Sequence, residues 1–403
     1  MTTPFVNGRQ ASVTDLLGQS KQQSDLVSHQ VRVRYTESTT VQAGRFFRLI
    51  FPKRSGDQML DCRSIRLKFN LRITSTDLDA SIGAPDVRAI FNRIRILSGT
   101  TVIHDLAEAG LAFNLETLCS VSHMDSKYDR RVEGITLLEQ SSYYFADGDE
   151  FVLPICTKGG LLNSETLLPT SRMSDLIWEC YLEQPQRCMF ANTDPNATFS
   201  IENVEILCDY IQSPSISNFF NTHGVKFHCT DVATRFNSVL SQEHVLRLSS
   251  SHSSLNGILT AYRIASEVTD IAKANKFSSF LAGTQRERYN VLVNNSLMYE
   301  QDIDSLPMSW GFMKDLLPLT QFSIWFDDFT GSKNLLATSI ISAPPEFRDR
   351  IISGINTSQL NSDITYRVRL TSQPTVPLRT DSFLYSDIWV FLPRANSDLQ
   401  VKF

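Results

Sequence analysis

The sequence has no excess of basic charge: 38 Lys and Arg stand against 43 Asp and Glu, a formal net charge of −5 over 403 residues. Chains that wrap nucleic acid carry a clustered Lys/Arg stripe to neutralise phosphates, and none is visible here. There is no C-x-x-C pair. The seven cysteines (Cys62, Cys119, Cys156, Cys180, Cys188, Cys208, Cys229) form an odd set with neither disulfide-framework nor zinc spacing, so a reducing compartment is the simpler setting. Apolar runs such as Phe383 to Pro393, which carries Asp387, fall well short of the roughly 20 residues of a membrane helix, and no span is expected. The start, MTTPFVNGRQASVTDLLGQS, lacks a basic segment followed by an apolar one, so no secretory signal is read and cytosolic synthesis is expected. The sequons at Asn196, Asn294 and Asn356 then read as chance matches in polar loops.

Recognisable catalytic signatures are missing as well. No two glycines lie two apart, which excludes G-x-G-x-x-G, and neither G-x-x-x-x-G-K nor G-x-S-x-G occurs. The seven histidines contain no H-x-H and no H-E-x-x-H. His223, His228 and Cys229, with Cys208, are the one conceivable metal cluster, and linker and strand-edge roles explain them more simply. The acidic turn Ala146 to Glu150 lacks the later ligands of a Ca²⁺ loop and reads as a solvated loop. Asp327 with Asp328, and Glu179 with Glu183, are carboxylate pairs that a jelly-roll glycosidase could use, but outward positions on amphipathic strands account for them. Arg88, Arg93 and Arg95, and Lys53 with Arg54, read as solvated or subunit-facing groups rather than a phosphate site. Trp178, Trp310, Trp325 and Trp389 sit among apolar neighbours and read as core or interface. The expectation is no enzyme, with no catalytic, cofactor-binding or metal-binding residues and no cofactor.

What is present is alternation. Ile65, Leu67, Phe69, Leu71 and Ile73 alternate with Arg66, Lys68, Asn70 and Arg72, the period of a half-buried strand. The same pattern recurs at Val31 to Tyr35, Leu176 to Leu182, Val204 to Tyr210 and Ile364 to Leu370. Helical periodicity is confined to short stretches, the best being Leu106 to Leu118, where Leu111, Leu115 and Leu118 share a face. Strands with one wet face, separated by long polar loops, indicate antiparallel sandwiches or barrels and disfavour a parallel α/β fold.

At roughly 150 residues per domain the length suggests two to three domains. The first thirty residues are polar and without periodicity, and the polar stretch Asp209 to Gly224 divides the chain near its middle. The halves look alike. Arg93 to Asp105 and Arg288 to Glu300 both read strand, tight turn, strand, and each half closes with an apolar strand, ENVEILCDYI and SDIWVFLP. The expected layout is a flexible arm over 1–29, one β-domain over 30–212, a linker over 213–222 and a second β-domain over 223–403.

The order of these segments resembles the double jelly-roll major capsid proteins of tailless phages, adenoviruses, virophages, polinton-like elements and large nucleocytoplasmic DNA viruses. The resemblance runs from Val31 to the C-terminus. It rests on QVRVRYTESTTVQAGRFFRLIFP with DCRSIRLKFNLRIT, on AIFNRIRILSGTTVIHDLAEAGLAFNLE, on FVLPICTKGGLLNSETLLPTSRMSDLIWECYLE, and on HVLRLSSSHSSLNGILTAYR, the Arg288 to Glu300 hairpin, ITYRVRL and SDIWVFLP. It implies an all-β chain of two consecutive eight-stranded antiparallel jelly rolls with short helices in loops. It also implies a structural role: homotrimers forming pseudo-hexameric capsomers that tile an icosahedral shell. The partners implied are self, neighbouring capsomers and penton or minor capsid proteins, with weak or indirect contact to the packaged genome. The place implied is the virion capsid, assembled in cytoplasm or nucleus. The chain is short for that family, so any towers inserted between strands must be small. A jelly-roll lectin or glycoside hydrolase, and a minor or spike capsid protein, are the alternatives.

Overall fold

A computed structural model describes residues 5–6, 9–10, 27–54, 56–84, 86–120, 145, 147–157, 159–222, 225–249, 251–273, 286–304, 308, 335–339, 354–358, 363–392 and 399–402. Asp327, Asp328, Trp310, Trp325 and His223 lie outside these residues.

Eight strands build the first unit: β1 (Val27–Arg34), β3 (Phe46–Ile50), β4 (Gln58–Thr74), β5 (Phe91–Ser98), β6 (Thr101–Ala107), β7 (Glu150–Leu153), β8 (Leu176–Leu182) and β9 (Thr198–Gln212). They pair as two sheets in the orders β7-β4-β9-β1 and β3-β8-β5-β6, and the short β2 (Thr40–Gln42) lies against β9. Numbered within the unit, the orders are 1-8-3-6 and 2-7-4-5, the strand order of a jelly roll. The second unit repeats it. Its strands are β10 (Val225–Val239), β11 (Glu243–Ser249), β12 (Leu255–Ile264), β13 (Arg286–Val293), the two-residue strand Ser296–Leu297, β14 (Leu335–Ser339), β15 (Asp363–Leu370) and β16 (Leu378–Leu392). They form sheets β10-β16-β12-β14 and β11-β15-β13-Ser296–Leu297, with β17 (Gln400–Lys402) on β16. The chain is thus a double jelly roll, as its segment order implies.

The alternating stretches are strands with the apolar face inward: Ile65, Leu67, Phe69 and Leu71 of β4 are fully buried, and so are Trp178 and Cys180 of β8. The matched hairpins are real. β5 pairs with β6 around Gly99, whose φ of +58° suits a residue without Cβ, and β13 pairs with Ser296–Leu297 around Asn294 and Asn295, at +53° and +64°. β1 begins at Val27, four residues before the alternation does, because its first half is exposed and is held to β9 by backbone pairing and by the contact of the His29 ring with Gln212 at 3.2 Å rather than by apolar burial.

Two segments differ from their sequence reading. The helix expected from Leu106 begins instead at Ala109, as α1 (Ala109–Ser120), because Leu106 completes β6 and Glu108 turns the chain at φ +53°. Nor is α1 amphipathic: Asn114, Glu116 and Thr117 are buried along with Leu111 and Leu115. Gly110 is needed there, since a Cβ would stand 2.7 Å from the carbonyl oxygen of Ala89. Segment 213–222, expected as a linker, is largely a helix, α2 (Pro214–Thr222), opened by a proline in its first turn and burying Ile216 and Phe220 at i, i+4 spacing.

The two rolls share a core. One apolar cluster runs from β4, β8 and α1 of the first roll into Val225, Phe227 and Val232 of β10, Leu259 and Ala261 of β12, and Phe383 and Tyr385 of β16. The opposite side of those second-roll strands, Ile258, Tyr262 and Leu384, belongs to a separate cluster inside the second sandwich. The sheet β10-β16-β12 is therefore covered on both faces, which is why SDIWVFLP reads as a continuous apolar run.

Candidate functional site

Among the described residues no group of three or more His, Cys, Asp or Glu side chains is placed to hold a metal ion. His228 Nε2 lies 2.9 Å from the Asp387 carboxylate, while Cys208 and Cys229 are buried thiols. Burial pushes the Cys208 thiol up to about 12, with the charge of Asp209 adding to it, and raises Cys229 further, which leaves both protonated at neutral pH. The carboxylate pair Glu179 and Glu183 is occupied: Glu179 holds Arg95 at 3.1 Å, and the buried Glu183 accepts from Asn92 at 2.8 Å and pairs with Arg187 at 3.2 Å. In the turn after Ala146, Asp147 accepts from the Ile73 amide at 2.9 Å and Glu150 pairs with Lys68 at 3.0 Å.

The basic cluster is likewise spent on internal pairs. Arg93 grips Asp105 in two bonds of 2.6 Å, and Lys53 sits 3.1 Å from Asp175. Arg88 corrects the sequence reading: it is buried rather than solvated, chelating Asp86 at 2.6 Å and lying 4.4 Å over the ring of Phe113. Trp178 is core, as read, and Trp389 packs edge-on to His228 at 5.5 Å.

What the fold does assemble is a polar clasp across the seam between the rolls. At one end His104 of β6 meets Asp231 of β10 at 2.5 Å, and Thr234 donates to the Ala107 carbonyl at 2.7 Å. The Thr230 amide donates to the carbonyl of Gly159 at 2.9 Å. At the corner between β6 and α1, Glu108 takes Arg187 of its own roll at 2.6 Å and Arg379 of the second roll at 2.9 Å. Arg379 also pairs with Asp381 at 2.8 Å, and Asp381 in turn holds Arg263 at 2.7 Å. Three arginines thus interleave with Glu108, Asp381 and Glu183, so no charge of the corner is left uncompensated. No motif marks this site. The signal that could have found it is the pairing of charged residues with otherwise apolar strands, as in Arg263 after LNGILTAY and Asp381 before SFLY.

Burial alone would raise the Glu108 carboxyl, but the hydrogen bond and charge of Arg187, with Arg379 and Arg263, outweigh it and hold Glu108 below its ordinary 4.5. Asp387 is held below 3.8 in the same way, burial being outweighed by His228, Asn256 and Ser254. A carboxyl depressed in the fold binds its proton more readily when unfolded, so it stabilises above its unfolded pKa and loses that contribution as pH falls through the folded value. The melting temperature should therefore be flat from pH 7 to about 5 with respect to these groups and fall below about pH 4. A thermal-shift titration checks this, and Glu108→Gln, already destabilised at neutral pH, should show a shallower fall.

No family model matches the chain, and no curated protein matches it in sequence. Solved structures do. PBCV-1 VP54, as fitted into a reconstruction of the virophage Sputnik, matches with a TM-score of 0.64 at 8% identity, over 94% of this chain and 97% of that one. The Faustovirus major capsid protein matches at 0.62 and 8% identity over 91% of each chain. The mavirus major capsid protein matches at 0.54 and 9%, over 94% of this chain and 90% of that one. With so little identity, what is shared over nine-tenths of each chain is architecture: this chain has the double jelly-roll fold of those viral capsid proteins.

Proposed function

We propose that the protein is a major capsid protein, a structural rather than a catalytic chain. Three copies form a pseudo-hexameric capsomer, and capsomers tile an icosahedral shell. The observation that carries this reading is internal: two rolls of identical strand order are welded side by side through one core, so one chain presents two similar pillars and three chains present six. The likeness to whole capsid proteins, end to end, supports it. In this reading the stretch before β1 is an arm, the rolls from β1 to β9 and from β10 to the C-terminus are the two pillars, and 213–222 is their connection. The partners are further copies, with penton or minor capsid proteins at special positions and weak or indirect genome contact. The chain resides in the virion after synthesis in the host cytoplasm and assembly there or in the nucleus.

Capsomer contacts are of the obligate class, above about 2,000 Å² in total, so the isolated protomer should be marginal or aggregate. Light scattering of the purified protein is expected to give three times the 45.5 kDa chain mass, with six-cornered outlines in negative stain. A stable monomer overturns the reading.

A further inference from the structure

The outward faces of the β3-β8-β5-β6 and β11-β15-β13 sheets spend their charges differently. In the first roll the row that crosses β3, β8, β5 and β6 reads Arg48, Glu179, Arg95, Asp105, so each cation stands opposite a carboxylate. In the second roll the rows do not cancel: Val245 of β11 faces Arg367 of β15, and Arg247 faces Thr365. Arg247 is exposed and holds no carboxylate among the described residues. Glu243 keeps its side chain 67% exposed and touches Arg369 at 3.5 Å. Val245 between them is 56% exposed. β11 thus shows solvent an acid, an apolar residue and a base at i, i+2 and i+4, all on one face.

β11 is also an open edge. Among the described residues it pairs with β15 alone, at the opposite end of the sheet from Ser296–Leu297. In the first roll it is likewise β6, at the far end of its sheet from β3, that meets the second roll, so the seam between the rolls leaves this kind of edge free. Buried Leu246 and Leu248 anchor the strand in its sandwich. The Leu370 amide donates to the Gln242 carbonyl at 2.9 Å, which turns residues 242, 244, 246 and 248 toward β15 and leaves the N–H and C=O of Glu243, Val245 and Arg247 pointing out of the sheet edge. The Ser249 carbonyl, next in that phase, is taken by Arg235 of β10 at 3.1 Å. Edge strands are commonly blunted by a proline or a bulge, and neither interrupts β11.

We infer that β11 pairs antiparallel with the β11 of a second copy about a two-fold axis at Val245. In that register each Val245 exchanges both backbone hydrogen bonds with its mate, and Glu243 of each chain faces Arg247 of the other, so the strand is its own complement in hydrogen bonding and in charge. The first-roll counterpart cannot pair in this way. The bond from the Phe51 amide to the Leu176 carbonyl fixes Phe46, Arg48 and Ile50 as the outward residues of β3, and a two-fold axis at its midpoint sets Arg48 against Arg48. An isologous contact closes after two copies whereas the capsomer closes after three, so the pairing joins one capsomer to its neighbour; in that role it rests on the capsomer reading above. A seven-residue edge buries little area, and such contacts are weak singly and hold when many act together around a shell.

Sedimentation velocity of full-length chains over a concentration series, with electron microscopy of the assembled material, reads the contact. Wild-type protein is expected to form species beyond the capsomer. Val245→Pro removes an N–H that β15 does not use, at an edge position where proline is tolerated, and should lose those species while circular dichroism and melting show a folded chain. Arg247→Glu makes the outward face of the strand acidic at both ends and should lose them too. Adding Glu243→Arg to that chain restores complementarity with the signs exchanged and should bring them back, a recovery that a purely structural role for either residue would not produce. Val245→Pro decides alone where a charge variant does not fold, and the charge exchange decides where Val245→Pro does not. A folded Val245→Pro chain that assembles like the wild type, or a folded charge exchange without recovery, overturns the inference. Wild-type trimers that associate no further at any concentration also overturn it and leave the capsomer reading intact. A wild-type dimer of twice 45.5 kDa that Val245→Pro dissolves keeps the pairing and overturns the capsomer reading, and a monomer at every concentration overturns both.

Discussion

Asp381→Ala is expected to lower stability by about 3–5 kcal/mol, because it strands a buried guanidinium. Asp381 is fully buried and is the carboxylate between Arg263, 2% exposed, and Arg379, a quarter exposed. Without it Arg263 keeps its charge in a site lined by Gly110, Leu111, Arg187, Glu108 and Glu183, and Arg263 and Arg379 face one another across the strand pair while Glu108 and Glu183 are already paired with Arg187. A drop of that size corresponds to roughly 4–6 °C in the melting temperature of a chain this large, at about 2.1 cal/mol/K of unfolding entropy per residue. The loss belongs to the unpaired charge rather than to the worth of the pair, so Arg263→Met combined with Asp381→Leu should recover most of it. Melting of the single and double variants separates the two accounts: a double variant as unstable as Asp381→Ala shows that the pair itself, and not the stranded charge, holds the corner.

The fold was legible to the extent that it is written in period two. β4, β8 and β15 each bury their apolar face and set polar or charged side chains on the other, so their alternation gave both strand and orientation. Where both faces are buried the alternation disappears: β12 and β16 are buried nearly throughout, polar residues such as Thr380, Asp381 and Ser386 included, and only the structure shows that one side meets the first roll and the other the second sandwich. α1 was visible as a helix yet not as a buried one, since Asn114, Glu116 and Thr117 look solvent-facing until Asp86 and Arg88 are found against Asn114 and Thr117, and Tyr385 of the second roll against Glu116. The seam was illegible for a different reason. Glu108 meets Arg379 from 271 positions away, and nothing local in either segment announces the other. Charges of this kind read in sequence as solvated surface, and Arg88, Arg263 and Asp381 are instead buried.

Trp178→Ala is expected to cost about 3–5 kcal/mol and to loosen both rolls together. Trp178 is fully buried on β8, with Phe47 at 5.6 Å and Phe91 at 6.3 Å, both edge-on, and its indole N–H donates to the Ile155 carbonyl at 3.2 Å. Truncation opens a cavity between the sheets of the first roll, removes two aromatic contacts and leaves that carbonyl without its donor. Trp178→Phe keeps most of the volume and should lose no more than about half as much, which divides the packing cost from the hydrogen bond. The same apolar cluster that holds Trp178 reaches Phe383 and Tyr385 of β16, so unfolding should not stop at the boundary between the rolls. Hydrogen exchange is the measurement that decides this: in Trp178→Ala, amides of β12 and β16 should lose protection in step with those of β4 and β9. Unchanged protection in the second roll means that the rolls unfold separately and that the shared core does not couple them.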